Sequence, residues 1–162
     1  MGRSGHGHQA GGSRTVGDVA TLICDDDPCL RLLYRQEFEW AGVDVVEASD
    51  GDQCIDVATR EQPDLIVLDL AMPRRGGLST LVELRRCCPD TPVLVVTAHA
   101  AVEVLGRSRE LGATACYSKP GFLARIPDVV ARYGLSPVPP PHHGHEVAEP
   151  VLTSNPGDDA AI

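Results

Sequence analysis

Apolar runs of four or five residues recur along the chain, each ending at a polar position. Thr21-Leu22-Ile23-Cys24 runs into Asp25-Asp26-Asp27, Leu65-Ile66-Val67-Leu68 into Asp69, Val93-Leu94-Val95-Val96 into Thr97, and Ala115 to Ser118 into Lys119. Runs this short and uniform predict parallel strands buried on both faces. Val43 to Ala48 is a further strand, and its interleaved charges mark a sheet edge. Between the runs, apolar residues recur at helical spacing. Asp27 followed by Pro28 reads as an N-cap and a first helical residue. Leu30, Leu33, Tyr34, Phe38 and Ala41 form the stripe that follows, and Gly42 ends it. Ser49-Asp50-Gly51 opens a second helix carrying Ile55 and Ala58, which Pro63 ends. A loop with Met72-Pro73 and Gly76-Gly77 leads to a third helix through Leu78, Leu81 and Leu84. A fourth runs through Val102, Leu105, Ser108 and Leu111 and closes at Gly112.

Strands alternating with helices predict an α/β fold, a doubly wound five-stranded parallel sheet with helices on both faces. The expected strand order is 2-1-3-4-5, the flavodoxin-like topology, with its switch point between the first and third strands. All strand carboxyl ends then share one edge, where open α/β sheets place their sites. Asp25, Asp26, Asp69, Thr97 and Lys119 converge there although they are spread over most of the sequence.

Residues 21–134 form the predicted domain. Residues 1–20, rich in Gly, Ser and His, lack the large apolar residues that would offset the entropy of ordering, so they read as a disordered arm. Residues 135–162 read as a disordered, Pro-rich tail. His6, His8, His142, His143 and His145 in these segments read as solvated side chains rather than a chelating site.

A net charge of -9 and a pI near 5.0 argue against a nucleic-acid partner. Arg74-Arg75 and Arg85-Arg86 read as solvated faces. No stretch approaches the apolar length of a membrane span and no signal region opens the chain, so the expected location is the cytoplasm, with no membrane partner. Six cysteines show no C-x-x-C spacing and are expected to be reduced, small apolar residues, with Cys29 near the acidic cluster. Lys119 is the one lysine of the chain, where arginine otherwise carries the positive charge. A compact ammonium serves a phosphate pocket differently from a planar guanidinium.

Clustered carboxylates raise one another's pKa unless a cation joins them. Oxygen-only ligands suit Mg²⁺, which keeps part of its hydration shell. With a lysine and a threonine hydroxyl aimed at the same space, these are parts for phosphoryl transfer, where catalysis is chiefly alignment and charge neutralisation.

Asp25-Asp26-Asp27-Pro28 with Arg31, Asp69-Leu70-Ala71-Met72-Pro73 with Gly77, Thr97-Ala98, and Lys119-Pro120 together resemble the receiver domain of bacterial two-component response regulators. The resemblance covers about Thr21 to Gly134, and the order and spacing of the motifs carry it. It implies that Asp69 is the phospho-acceptor, and that Asp25, Asp26, Asp69 and the Ala71 carbonyl hold Mg²⁺. It also implies that Lys119 pairs with a phosphoryl oxygen and that Thr97 turns its hydroxyl to the phosphoryl group. The implied partners are a sensor histidine kinase or phosphotransfer protein as donor and a downstream protein as target, in a stand-alone receiver that promotes its own phosphorylation and dephosphorylation. It further implies a cis Lys119-Pro120 bond.

The chain departs from the family in two places. Cys116 stands where an aromatic usually swings inward, three positions before the lysine, and Tyr117 is expected on the opposite side of the strand. Pro127 falls inside the expected last helix, which is therefore expected to begin near Ile126 and be short. The resemblance implies that Ala71 and His99 occupy positions that tune the lifetime of the phosphoryl group in the family. The alternative reading is a phosphorylation-independent pseudo-receiver. An aspartyl phosphatase using Asp25 and Asp27 lacks the larger core and cap such enzymes add. A flavin-binding domain is opposed by carboxylates where its phosphate loop belongs.

Overall fold

The computed structural model describes residues 20–98 and 101–135. Five strands form one parallel sheet: β1 (Ala20–Cys24), β2 (Asp44–Ala48), β3 (Leu65–Leu68), β4 (Val93–Thr97) and β5 (Ala115–Ser118). Their order is β2-β1-β3-β4-β5, the order expected from the pattern of the chain. The crossing helices are α1 (Pro28–Trp40), α2 (Gly51–Glu61), α3 (Gly77–Cys87) and α4 (Val102–Glu110).

The central strands separate two cores by the period of two along a strand. Leu22, Cys24, Ile66, Leu68, Val93 and Val95 face α2 and α3, where Val57, Ala58, Leu81 and Leu84 are buried. Ile23, Leu65, Val67, Leu94 and Val96 face the opposite layer, filled by Tyr34 and Phe38 of α1 and by Phe122, Ile126, Val129 and Val130. Edge strand β2 is mostly half-buried, in keeping with its interleaved charges.

Local signals set the helix ends. Asp27 caps α1 by accepting from Cys29 N at 2.8 Å and Leu30 N at 3.3 Å, with Pro28 in the first turn. Asp50 caps α2 through the backbone N–H groups of Asp52 and Gln53, both at 3.0 Å. Gly77 is required by close packing, since a Cβ there would overlap Leu70 Cα and the Asp69 carbonyl oxygen.

After β5 the chain turns at once into α5 (Lys119–Phe122), a 3-10 turn (Leu123–Arg125) and α6 (Ile126–Arg132). The late, short last helix expected from Pro127 is α6, with Pro127 in its first turn. The segment before it, however, is also helical. Packing continues through Leu135, which is buried with the α6 layer.

Two expectations are corrected. Among the described residues no peptide bond is cis, so Lys119-Pro120 is trans. The helix that begins at Lys119 orients the side chain without a cis bond. Cys24 and Cys54 are not reduced apolar fillers but a disulfide, with Cα atoms 5.9 Å apart. They meet because β1 and α2 share one core layer, a proximity invisible to a search for short Cys spacings. Arg74 is exposed and Arg75 partly so, as expected, and they also pair with Asp50 and, at 2.6 Å, with Asp52, tying the loop after β3 to the start of α2. Arg85 is likewise engaged, donating from Nη1 to the Pro89 carbonyl at 3.1 Å and from Nη2 to that of Thr91. Cys29, Cys87, Cys88 and Cys116 are free thiols. Residues 1–19 and 136–162 with their histidines, and His99, lie outside the described residues, whereas Ala20 and Leu135, the inner ends of the two expected tails, belong to β1 and to the buried α6 layer. Among the described residues no helix is long and apolar enough to cross a membrane.

Candidate phosphoryl-acceptor site

Strand register assembles the site. Cys24 pairs with Leu68 across β1 and β3, so Asp25 and Asp69 leave the sheet side by side, with Asp69 N donating to the Cys24 carbonyl at 2.8 Å. Thr97 ends β4 opposite Ser118 of β5, and Lys119 follows directly. The carboxylate oxygens of Asp25, Asp26 and Asp69 lie within 4.8 Å of one another. Asp25 and Asp69 are buried and Asp26 is exposed, so the cluster opens to solvent on one side only.

Lys119 Nζ bridges the two buried acids, donating to Asp69 Oδ2 at 2.8 Å and pairing with Asp25 Oδ2 at 2.9 Å. Its side chain is 15% exposed. The remaining oxygens are held by backbone. Asp25 Oδ1 accepts from Asp27 N at 2.9 Å, and Asp69 Oδ1 from Ala71 N at 3.1 Å. Arg31 Nη1 donates to the Asp25 carbonyl at 2.6 Å and fixes the turn between β1 and α1.

Burial pushes the Asp25 carboxyl above its usual range, and the Asp69 charge adds to this, while Lys119 and the Asp27 N–H oppose. Burial alone would lower the Lys119 ammonium. Its hydrogen bonds to Asp69 and Asp25 outweigh that and raise it. An acidic cluster pressed together under one ammonium favours added positive charge. Three carboxylate oxygens and no sulfur or imidazole fit a hard, oxygen-seeking divalent cation.

The structure thus brings Asp25, Asp26 and Asp69 within 4.8 Å of one another and places Lys119 on Asp25 and Asp69. Thr97 is buried at the end of β4 on the same sheet edge, and Ala71 lies exposed in the loop after Asp69. Asp27 is turned to capping α1 instead. Cys116 and Tyr117 point to opposite layers as expected, Cys116 toward α4, where its Sγ lies 4.0 Å from the Leu105 carbonyl oxygen, and Tyr117 toward Phe122.

With this geometry the chain belongs to the response regulator receiver domain family, whose model matches residues 21–131. The fold and the family assignment therefore agree with the expected class. Among curated relatives, it is 32% identical over 112 residues to sporulation initiation phosphotransferase F of Bacillus subtilis, covering 69% of this chain and 90% of that one. It is 39% identical over 85 residues to the probable transcriptional regulatory protein TcrX of Mycobacterium tuberculosis, covering 52% of this chain but 36% of that longer protein. Solved structures agree in fold. The signal receiver domain of a putative Luxo repressor protein from Vibrio parahaemolyticus matches with TM-score 0.66 and 28% identity over 71% of this chain and 88% of that one. A response regulator from Burkholderia pseudomallei, solved with a phosphorylated aspartic acid, calcium ion and citrate, matches with TM-score 0.62 and 26% identity over 72% and 74%. Receiver domains of this family take phosphoryl groups from histidine kinases or phosphotransfer proteins.

Proposed function

We propose that the protein is a cytoplasmic phosphoryl-accepting switch that takes its phosphoryl group on Asp69 and signals by protein contact. The observation that carries this reading is a buried acceptor carboxylate with an ammonium at 2.8 Å and two further acids within 4.8 Å. Asp69 Oδ attacks the phosphorus of a phosphohistidine, the new P–O bond forms as the P–N bond breaks, and the imidazole leaves with the electron pair. Lys119 neutralises a phosphoryl oxygen and Thr97 donates its hydroxyl to another. Asp25, Asp26, Asp69 and the Ala71 carbonyl would hold Mg²⁺, which when bound would supply charge neutralisation at the carboxylates. The match spans 90% of the Bacillus relative and about a third to a half of several longer regulators.

The test is labelling with acetyl phosphate and Mg²⁺. The wild-type protein is expected to gain one acid-labile phosphoryl group, and Asp69→Asn none. Equal labelling of both would remove Asp69 from its role, and a folded wild-type protein that takes none would favour the pseudo-receiver reading.

A further inference from the structure

Helix α3 ends on two adjacent cysteines, Cys87 as its last residue and Cys88 at its C-cap. On a regular helix adjacent side chains diverge by about 100° and do not meet. Cys88 has left the helical conformation, with φ −133° and ψ 66°, and the two sulfurs lie 3.6 Å apart. The Cys88 thiol is buried against α2, 3.5 Å from the Ala58 carbonyl oxygen. Cys87 is only partly buried, so the pair is approached from its side.

A sulfur pair can close into a disulfide or hold one soft atom, and the geometry separates these. Adjacent residues keep their Cα atoms about 3.8 Å apart, short of the roughly 4.4–6.8 Å of ordinary bridges, so a disulfide here is strained. Two sulfurs about 2.3 Å from one tetrahedral ion lie about 3.8 Å apart, so the observed spacing suits a single bridging atom. Burial narrows the choice of atom. Cys88 is 2% exposed, and desolvation pushes its thiol up to about 11 against the pull of the Arg85 charge. A neutral product avoids the cost of a buried thiolate. Among the described residues the only group of three or more potential metal ligands is Asp25, Asp26 and Asp69, so the pair has no third ligand of that kind. A zinc-group cation takes four ligands, whereas a monosubstituted trivalent arsenical is complete with two sulfurs.

We propose that Cys87 and Cys88 form a dithiol site that captures monosubstituted trivalent arsenicals. With an arsine oxide, the Cys87 sulfur forms the first As–S bond while the oxygen takes its proton, giving As–OH. The Cys88 sulfur forms the second As–S bond as that hydroxyl leaves with the Cys88 proton as water. No electrons are exchanged and the product carries no charge. The site lies before the first residue of β4, whereas Thr97 ends that strand at the acceptor edge, so it stands independently of the reading of Asp69.

The test is titration of the full-length protein, without reductant, with phenylarsine oxide, read by intact mass and urea unfolding. The wild-type chain is expected to gain one phenylarsenic group with loss of one water, and its urea midpoint is expected to rise. In Cys87→Ser the second bond no longer closes within the molecule, so apparent affinity is expected to fall about a hundredfold, with the arsenical-free midpoint near that of wild type. Cys29→Ser, which removes an exposed single thiol, is expected to bind as wild type does. No adduct on the wild-type chain, or equal affinity in Cys87→Ser, would overturn the proposal. So would a wild-type chain with only two free thiols, which would show the pair already bridged. Capture of Cd²⁺ through Cys87 without capture of the arsenical would overturn it as well, making the pair a cation site.

Discussion

Lys119→Met isolates what the ammonium contributes, because methionine keeps a long unbranched side chain while removing the charge. The change leaves Asp25 and Asp69 buried, their carboxylate oxygens within 4.8 Å, with no cation between them. Two unit charges about 5 Å apart at an effective dielectric of about 20 repel by about 3 kcal/mol. Breaking a buried ion pair on one side costs about 3–5 kcal/mol, so a loss of about 3 kcal/mol at pH 8 is expected. Part of a domain's roughly 5–15 kcal/mol is then at stake. The sign with pH follows from Asp25, whose folded-state carboxyl is already raised by burial. A raised acid binds more protons folded than unfolded, so the variant loses stability as pH rises through and above the ordinary carboxylate range and recovers it in acid. In the wild-type protein, the raised Lys119 contributes stability below its unfolded pKa and loses it as pH rises through its folded one. Urea unfolding of both proteins in chelator, at pH 8 and pH 5, measures the difference. Mg²⁺ is expected to restore part of the variant's stability at pH 8, because it binds only the folded cluster. Equal stabilities at pH 8 without Mg²⁺, or a deficit of the same size at pH 5, would refute the electrostatic account.

Gly77→Ala forces a methyl group onto the Asp69 carbonyl oxygen and Leu70 Cα, so it is expected to cost about 1–3 kcal/mol and to slow labelling of Asp69 by shifting the acceptor loop. Both are read from an unfolding curve and an acetyl-phosphate time course, and unchanged values would mean the loop yields freely. The Cys24–Cys54 bridge closes a loop of 30 residues and is expected to contribute about 3–4 kcal/mol, so reductant lowers the melting temperature. Thiol titration of the unfolded chain should find four free thiols before reduction and six after; six in both would show that the two cysteines are unbridged.

The sequence by itself determined the sheet and most of the site. Four uniformly apolar runs, one strand with interleaved charges and clear helix caps leave little choice of architecture. Strand ends are local features, so Asp25, Asp69, Thr97 and Lys119 were legible from where each run stopped. Arg31 was legible as part of the motif that begins at Asp25, though not the backbone carbonyl it holds. Tertiary structure alone decided what meets across elements. Cys54 reaches Cys24, and Arg74 and Arg75 reach Asp50 and Asp52, only because α2 packs on β1 and against the loop after β3. Cys87 and Cys88 looked like two more small apolar residues. Adjacency in the sequence says nothing of whether two sulfurs meet, and here they do. The trans Lys119-Pro120 bond was decided the same way, since β5 passes directly into α5 and the helix itself aims the ammonium at the two acids. Hydrophobic pattern has the range of one element, whereas pairing between distant polar groups depends on how the elements dock.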